Sequence, residues 1–305
     1  MHTLGNKLIL KAVGTLAVLL LVGTSFAVSQ TDLENTLKQY NANTVIGYIQ
    51  PVTDLFGANM HSGYYHSAEV EKFGFHFRLD IIGMAAVVSD NQKSYTVNTH
   101  PGFTPATVST ATVFGGNAAE VTDAGTGLKY RAPANGLFNT NYVPLAVPQL
   151  TIGNIFGTQA TVRFITVPKV SGEKLPNVTL WGLGFRHSIS QYVPTVPLDL
   201  SAGIYFNSFT FGDLIDFKGM AINAQASKSF SIFTLYGGLQ WENSSMNLKF
   251  TSTDITAPSV DISMNGANSF RFIAGLNIGL GPIHLFADAN LGSITVFSGG
   301  IGFGN

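Results

Sequence analysis

The chain is 305 residues long, has no cysteine and a formal net charge of −1, and only 11% of its residues are charged, against about 25% in an average soluble domain. That composition excludes a disulfide scaffold, a thiol nucleophile and a cysteine-linked lipid anchor, and without an excess of positive charge nucleic acid is not an expected partner. Mean hydropathy is +0.24, yet after the N-terminus no apolar run approaches the ~20 residues of a membrane helix, so a spanning chain of this kind must cross as strands closed into a barrel.

Residues 1–29 read as a secretory signal. Lys7 and Lys11 make a basic start, Ala12 to Val22 is apolar, and Ser25-Phe26-Ala27 and Ala27-Val28-Ser29 offer small residues at the cleavage spacing. An uncleaved anchor helix is the alternative, disfavoured by the shortness of the apolar core. Loss of Lys7 and Lys11 with the leader takes the charge from −1 to about −3.

Residues 30–72 differ in pattern from the remainder of the chain. Thr31 or Asp32 caps a predicted short helix over Leu33 to Tyr40. Tyr48-Ile49-Gln50-Pro51 and the run His61-Ser62-Gly63-Tyr64-Tyr65-His66 come next. Ahead of a barrel, such a segment is an internal plug, a periplasmic extension or a first irregular hairpin.

From Phe73 the chain alternates with a period of two, the side-chain period of a strand. Phe73, Phe75, Phe77, Leu79 and Ile81 share one face, and Gly74, His76, Arg78 and Asp80 share the other. Ser94 to Asn154 is rich in Thr, Gly, Asn, Ala and Pro and reads mostly as a long outer loop with one or two weak strands, Thr107 to Phe114 among them. Pro144 and Pro148 interrupt pairing there. Alternation returns over Ile155 to Val167 and Val178 to Ser190, then over Leu198 to Asn207 and Gly219 to Ser227. Phe230 to Glu242 and Met246 to Phe250 come after these, then Phe270 to Leu280, Ile283 to Asn290 and Thr295 to Phe303. Segments of about ten residues, apolar on one face and polar on the other, are the signature of a transmembrane β-barrel. The fold expected is therefore an all-β, antiparallel transmembrane barrel over residues 73–305, of about twelve strands within a range of about 10–14, preceded by a short helical or irregular plug segment.

Several stretches resemble a family of bacterial outer-membrane β-barrels of Gram-negative lineages that is itself distantly similar to the long-chain fatty-acid transporter barrels. They are Phe56-Gly57 through Ser62-Gly63-Tyr64-Tyr65, Val162-Arg163-Phe164, Gly182-Leu183-Gly184-Phe185-Arg186-His187-Ser188 and Pro197-Leu198-Asp199-Leu200. The resemblance implies an outer-membrane location, outer-membrane lipid and the barrel-insertion machinery as partners, and passive passage or uptake of a small solute, with hydrophobic ones among the candidates. A structural or adhesive surface barrel with a plugged lumen is the alternative. The Asn-Pro-Ala motif of the transporters' hatch does not occur in residues 30–72.

No enzyme, cofactor or resident metal is expected. Ser62 and Ser67 lie beside His61, His66 and His76, but this spacing does not specify a nucleophile–base pair, and His61 and His66 are not at the spacing of metal ligands on one helix or strand face. The ionisable residues on the polar faces are the site candidates: His76, Arg78, Asp80, Arg163, Arg186, Asp199, Arg271 and Asp288. Charges facing lipid cost about 2–4 kcal/mol at the midplane, so these residues are expected to face the lumen, either as a salt-bridged, hydrated interior or as a polar path for a solute. His187 falls on the apolar face of its strand and is expected at the membrane interface.

Overall fold

The computed structural model describes residues 42–99, 101–132, 135–168, 176–250 and 260–305. The expected leader and the helix over Leu33 to Tyr40 lie outside them. The first described element is a helix, α1 (Ala42–Met60). Sequence reading missed it because Pro51 sits inside it. Val45, Tyr48, Ile49, Val52, Leu55 and Phe56 nonetheless repeat at the three- and four-residue spacing of one helix face. Pro51 leaves the carbonyl of Gly47 without its helical donor, and the ring of Tyr95 lies so close to Gly47 that a Cβ there would be 2.3 Å from it.

The barrel begins with β1 (Phe73–Val87). The long connection after it forms two small sheets of its own. In one, β2 (Ser94–Asn98) pairs with β4 (Thr107–Ala111). In the other, β3 (Phe103–Thr104), β5 (Ala119–Asp123) and β6 (Lys129–Ala132) join in the order β3-β5-β6. Nine further barrel strands complete the ring: β7 (Tyr142–Ile155), β8 (Thr158–Val167), β9 (Val178–Ser188), β10 (Asp199–Phe211), β11 (Ile215–Phe230), β12 (Phe233–Phe250), β14 (Phe270–Leu280), β15 (Ile283–Gly292) and β16 (Val296–Gly304). β13 (Val260–Asn265) pairs only with the far end of β12 and stays outside the ring. All pairings are antiparallel. Closure comes from the first and last strands, whose register runs from Arg78 opposite Gly304 to Ala86 opposite Val296.

The barrel has ten strands, which corrects the expectation of about twelve. The surplus came from weak strands between Ser94 and Asn154, which pair among themselves. It also came from Phe230 to Glu242 and Met246 to Phe250, which are one continuous strand, β12. A second correction concerns β7, part of the expected outer loop, which is a full partner of β1. Its two prolines are tolerated because the ladder to β8 starts only at Gln149, opposite Arg163. Over residues 142–148 the β8-facing edge of β7 carries no ladder, so the missing N–H groups of Pro144 and Pro148 break nothing.

The connections divide the barrel into two ends. Short turns at residues 156–157, 231–232 and 281–282 lie at one end, together with the 189–198 link. The long connections after β1 and β12 lie at the other. This asymmetry is the one seen in outer-membrane barrels, with short periplasmic turns and longer outer loops.

Outward side chains between the ends are apolar and exposed: Leu79 and Ile81 on β1, Phe164 on β8, Trp181 and Phe185 on β9, Leu235, Leu239 and Trp241 on β12, Phe270 and Phe272 on β14. Beyond Trp241 the pattern inverts. Outward residues become Asn243, Ser245, Asn247 and Lys249, while inward Met246 and Leu248 are 1% and 0% exposed. β11 does the same, with Ile222 outward in the belt but Asp216 and Lys218 outward beyond it, over buried Phe217. Strands β11 and β12 therefore leave the lipid-like belt and continue as an ordinary water-facing sheet. Their inner face packs on α1 together with Ile82, Met84, Val143, Leu145 and Val147. Leu239→Arg is accordingly expected to cost about 2–4 kcal/mol, and Asn243→Arg almost nothing, in urea unfolding of the lipid-reconstituted protein.

Candidate functional site

α1 enters from the long-loop end and its tail, residues 61–72, runs down inside the barrel to the start of β1. The C-terminus of a helix leaves four carbonyls unsatisfied. Here the barrel wall supplies much of what they lack. The Gly57 carbonyl accepts from the His61 N–H at 3.3 Å and the Asn59 carbonyl from the Ser62 N–H at 3.0 Å. Arg271 Nη2 donates to the Ala58 carbonyl at 3.0 Å and Arg163 Nη1 to the Met60 carbonyl at 3.3 Å. Arg163 Nη2 also donates to the Ser62 carbonyl at 2.8 Å, and Arg271 Nη1 to the Ser62 hydroxyl at 2.6 Å. Two guanidinium groups, 1% and 0% exposed, thus sit on the negative end of the helix macrodipole. Arg271 is balanced by Glu242, whose Oε1 lies 2.5 Å from Nη2. Glu242 in turn accepts from Asn268 at 2.7 Å and Gln240 at 2.8 Å. Among the described residues no carboxylate pairs with Arg163, which is held instead by Gln149 Oε1 at 2.8 Å and the face of Tyr64 at 3.5 Å.

The tail is gripped residue by residue. The His61 carbonyl accepts from Gln240, and its ring contacts Asn207 at 3.1 Å. Gly63 has φ +70, with Ile82 so near that a Cβ would meet it at 2.8 Å, so only glycine fits. The Tyr64 hydroxyl donates to Asn207, and its ring lies 4.2 Å from that of Tyr205. Tyr65 meets Tyr236, and the His66 ring stacks on Phe286 at 3.5 Å. Glycines on the wall make the room. A Cβ at Gly184 would be 2.4 Å from Tyr205, and one at Gly302 2.1 Å from Asp80.

Below the tail, at the short-turn end, lies a cavity of about 280 Å³. His76, Arg78, Asp80 and Arg186 line it, as do His66 and His284. Arg78 Nε donates to Asp80 Oδ1 at 2.7 Å, and His66 Nε2 is 3.7 Å from Asp80 Oδ2. Arg186 donates to Gln159 at 2.7 Å and to the Ser67 carbonyl at 2.5 Å.

The eight residues singled out from sequence thus fall into separate places. Arg163 and Arg271 hold the helix end. His76, Arg78, Asp80 and Arg186 line the cavity. Asp288 accepts from Tyr236 at 2.9 Å and also bonds Asn290 and Ser298. Asp199 is half-buried near the short-turn end, 3.5 Å from Ser227. His187 points outward and bonds Thr158, Gln191 and the Tyr192 hydroxyl. Glu242, Gln149, Gln240 and Asn207 were not singled out. The one signal for Glu242 was its place in the same polar row as Gln240. Ser62 bonds Ala58 and Arg271 rather than a histidine. Among the described residues no group of three or more His, Cys, Asp or Glu could hold a metal ion.

At the long-loop end, Asp54 of α1 is buried and accepts from Gln50 at 2.8 Å and from the Ala267 N–H at 2.9 Å. Burial pushes its carboxyl above the usual carboxylate range, and these hydrogen bonds pull it back only in part. A group raised in this way favours the fold fully below its unfolded value, and that contribution is lost as pH rises through the folded one. Asp54→Asn keeps the acceptor oxygen without the charge. It is expected to raise the melting temperature at neutral pH and leave it unchanged in acid, read by thermal unfolding at both.

A closed antiparallel barrel with an apolar outside, a charged lumen and an inner helical segment defines a membrane-type β-barrel filled by its own N-terminal chain. The sequence belongs to the family of unknown function DUF6588, which it matches over residues 7–305. No curated protein matches it. Among solved structures it is similar to Ail, the attachment invasion locus protein of Yersinia pestis, at 13% identity and a TM-score of 0.26, covering 75% of this chain and 97% of that one. It is also similar to OmpF of Salmonella typhi in complex with daunomycin, at 8% identity and a TM-score of 0.24 over 77% and 98% of the two chains. A third is the N-terminal β-barrel domain of OprF of Pseudomonas aeruginosa, at 14% identity and 0.22 over 42% and 87%.

Proposed function

We propose that this protein is an outer-membrane barrel serving as an uptake route for small hydrophobic solutes, with α1 and its tail as a plug that keeps the lumen closed to ions. The observation that carries the reading is the seam between β7 and β8. Their ladder stops at Gln149 and Arg163, and the inward residues above it, Val143, Leu145, Val147 and Ile165, are all apolar and buried. Unpaired backbone in hydrocarbon costs several kcal/mol per group, and Pro144 and Pro148 keep this edge from zipping shut. An unzipped stretch of wall over apolar residues that pack on α1 suits a solute that leaves sideways into lipid once α1 gives way. The likeness to fatty-acid transporter barrels read from the sequence agrees with it. The location is supported by the apolar belt, the loop asymmetry and the secretory leader expected at residues 1–29.

A second reading, a structural barrel that transports nothing, is favoured by the depth at which Arg163 and Arg271 grip the plug. Reconstitution separates the two. The uptake reading expects no steady conductance in planar bilayers, together with faster entry of a fluorescent apolar solute into vesicles carrying the protein. Entry no faster than into protein-free vesicles would leave only the structural reading.

A further inference from the structure

We infer that the cavity at the short-turn end is a binding site for a phosphate group, carried either by a free solute or by a lipid headgroup. The inference goes beyond the uptake reading and does not depend on it.

The donors around this cavity are more than the protein itself uses. His66 is 4% exposed and lines the cavity, where its Nε2 faces Asp80 Oδ2 at 3.7 Å while its Nδ1 has no hydrogen-bond partner among the described residues. Arg78 is 8% exposed, and its Nη2 is unpartnered although Nε is taken by Asp80. Both nitrogens of His284 are buried too and make no side-chain hydrogen bond among the described residues. Buried donors left unmade cost about 1–3 kcal/mol each, and native proteins carry few of them. Such positions converging on one cavity point to something that accepts from them.

The donor set suits an anion. Arg186 adds a second guanidinium from β9, while Arg78 comes from β1, His284 from β15 and His66 from the tail. Donors approaching from several strands fit a tetrahedral oxyanion better than a planar carboxylate, which is best met by one bidentate fork. The acidic lining does not oppose this. Asp80 Oδ1 is already paired with Arg78 at 2.7 Å, and its Oδ2 is turned to His66 Nε2 at 3.7 Å. Glu69 and Glu71 are exposed at the mouth, where water and salt screen them. A metal is not the fitting occupant, because among the described residues no suitable group of ligands exists. The volume of about 280 Å³ is enough for a phosphate and its first waters, at about 30 Å³ per water.

The test is isothermal titration of the full-length, folded protein, in a phosphate-free neutral detergent, with inorganic phosphate. One saturable site is expected. Arg186→Gln and His284→Ala should each weaken it about tenfold or more, while Lys249→Ala, at the opposite end, leaves it unchanged. His284 makes no side-chain hydrogen bond among the described residues, so its variant reports on binding even where Arg186→Gln folds poorly. Folding is checked by the gel shift on boiling. Absence of saturable binding up to about 10 mM phosphate, or binding equal to wild type in folded His284→Ala, would overturn the inference. Repeating the titration in nanodiscs of anionic phospholipid identifies the source. Phosphate binding suppressed there means a headgroup occupies the site, and binding retained means a free solute.

Discussion

Arg271→Ala is expected to lower the unfolding free energy by about 3–5 kcal/mol, the usual cost of breaking a buried ion pair from one side. The substitution strands the Glu242 carboxylate, which keeps only Asn268 and Gln240 as donors. It also removes the donors to the Ala58 carbonyl and the Ser62 hydroxyl. Glu242→Gln is expected to cost distinctly less, about 1–3 kcal/mol, because the guanidinium left behind still donates to the Ala58 carbonyl and the Ser62 hydroxyl. The order of the two variants is the informative result. If both cost the same in urea unfolding, the ion pair rather than the helix end is what Arg271 serves. Hydrogen exchange should rise over residues 58–66 in Arg271→Ala before it rises in the barrel strands.

Pro144→Val with Pro148→Val should let the β7–β8 ladder extend past Gln149. Two restored N–H donors contribute about 0.5–1.5 kcal/mol each, less the stiffness that proline lends the unfolded chain. The expected net gain is about 1–2 kcal/mol in unfolding free energy. Uptake of an apolar solute should fall toward the protein-free rate while the gel shift on boiling persists. A more stable variant that takes up solute as fast as wild type would exclude the seam as the route. Equal stability would mean that the strands are held apart by something other than the prolines.

How much of the fold and the site was legible in the sequence depends on the range over which each feature is determined. Alternation is local, so β1, β9 and β14 are found within a residue or two of their ends. The strand β7 was hidden because proline normally forbids pairing on both sides, and only the partner register shows that one side is free. β12 was split at Asn243-Ser244-Ser245, where polar residues on both faces look like a turn. In the fold they mark the level at which the strand passes out of its apolar surroundings. α1 was lost behind Pro51. That the charged residues lie on one row of each strand could be read from period two alone. That Arg271 meets Glu242, across a 29-residue separation that contains the whole β13 excursion, could not. Which carbonyl each guanidinium would find on the plug was equally beyond reach, since α1 itself was not foreseen.

The grip on the helix end also bears on the order of assembly. Ala58 and Arg271 are 213 residues apart, and Met60 and Arg163 are 103 apart. The N-terminal segment is translated first but finds its second anchor only when β14 takes its place beside β12. Contacts of such separation carry a loop-closure cost that must be met before they return anything. Until then the Glu242 carboxylate faces an unfinished interior without its guanidinium partner. The last three strands therefore act as a checkpoint: a ring without them has neither its seal against β1 nor the charge that fixes its contents. A chain cut before Phe270 should be an obligate client of chaperones rather than a smaller barrel.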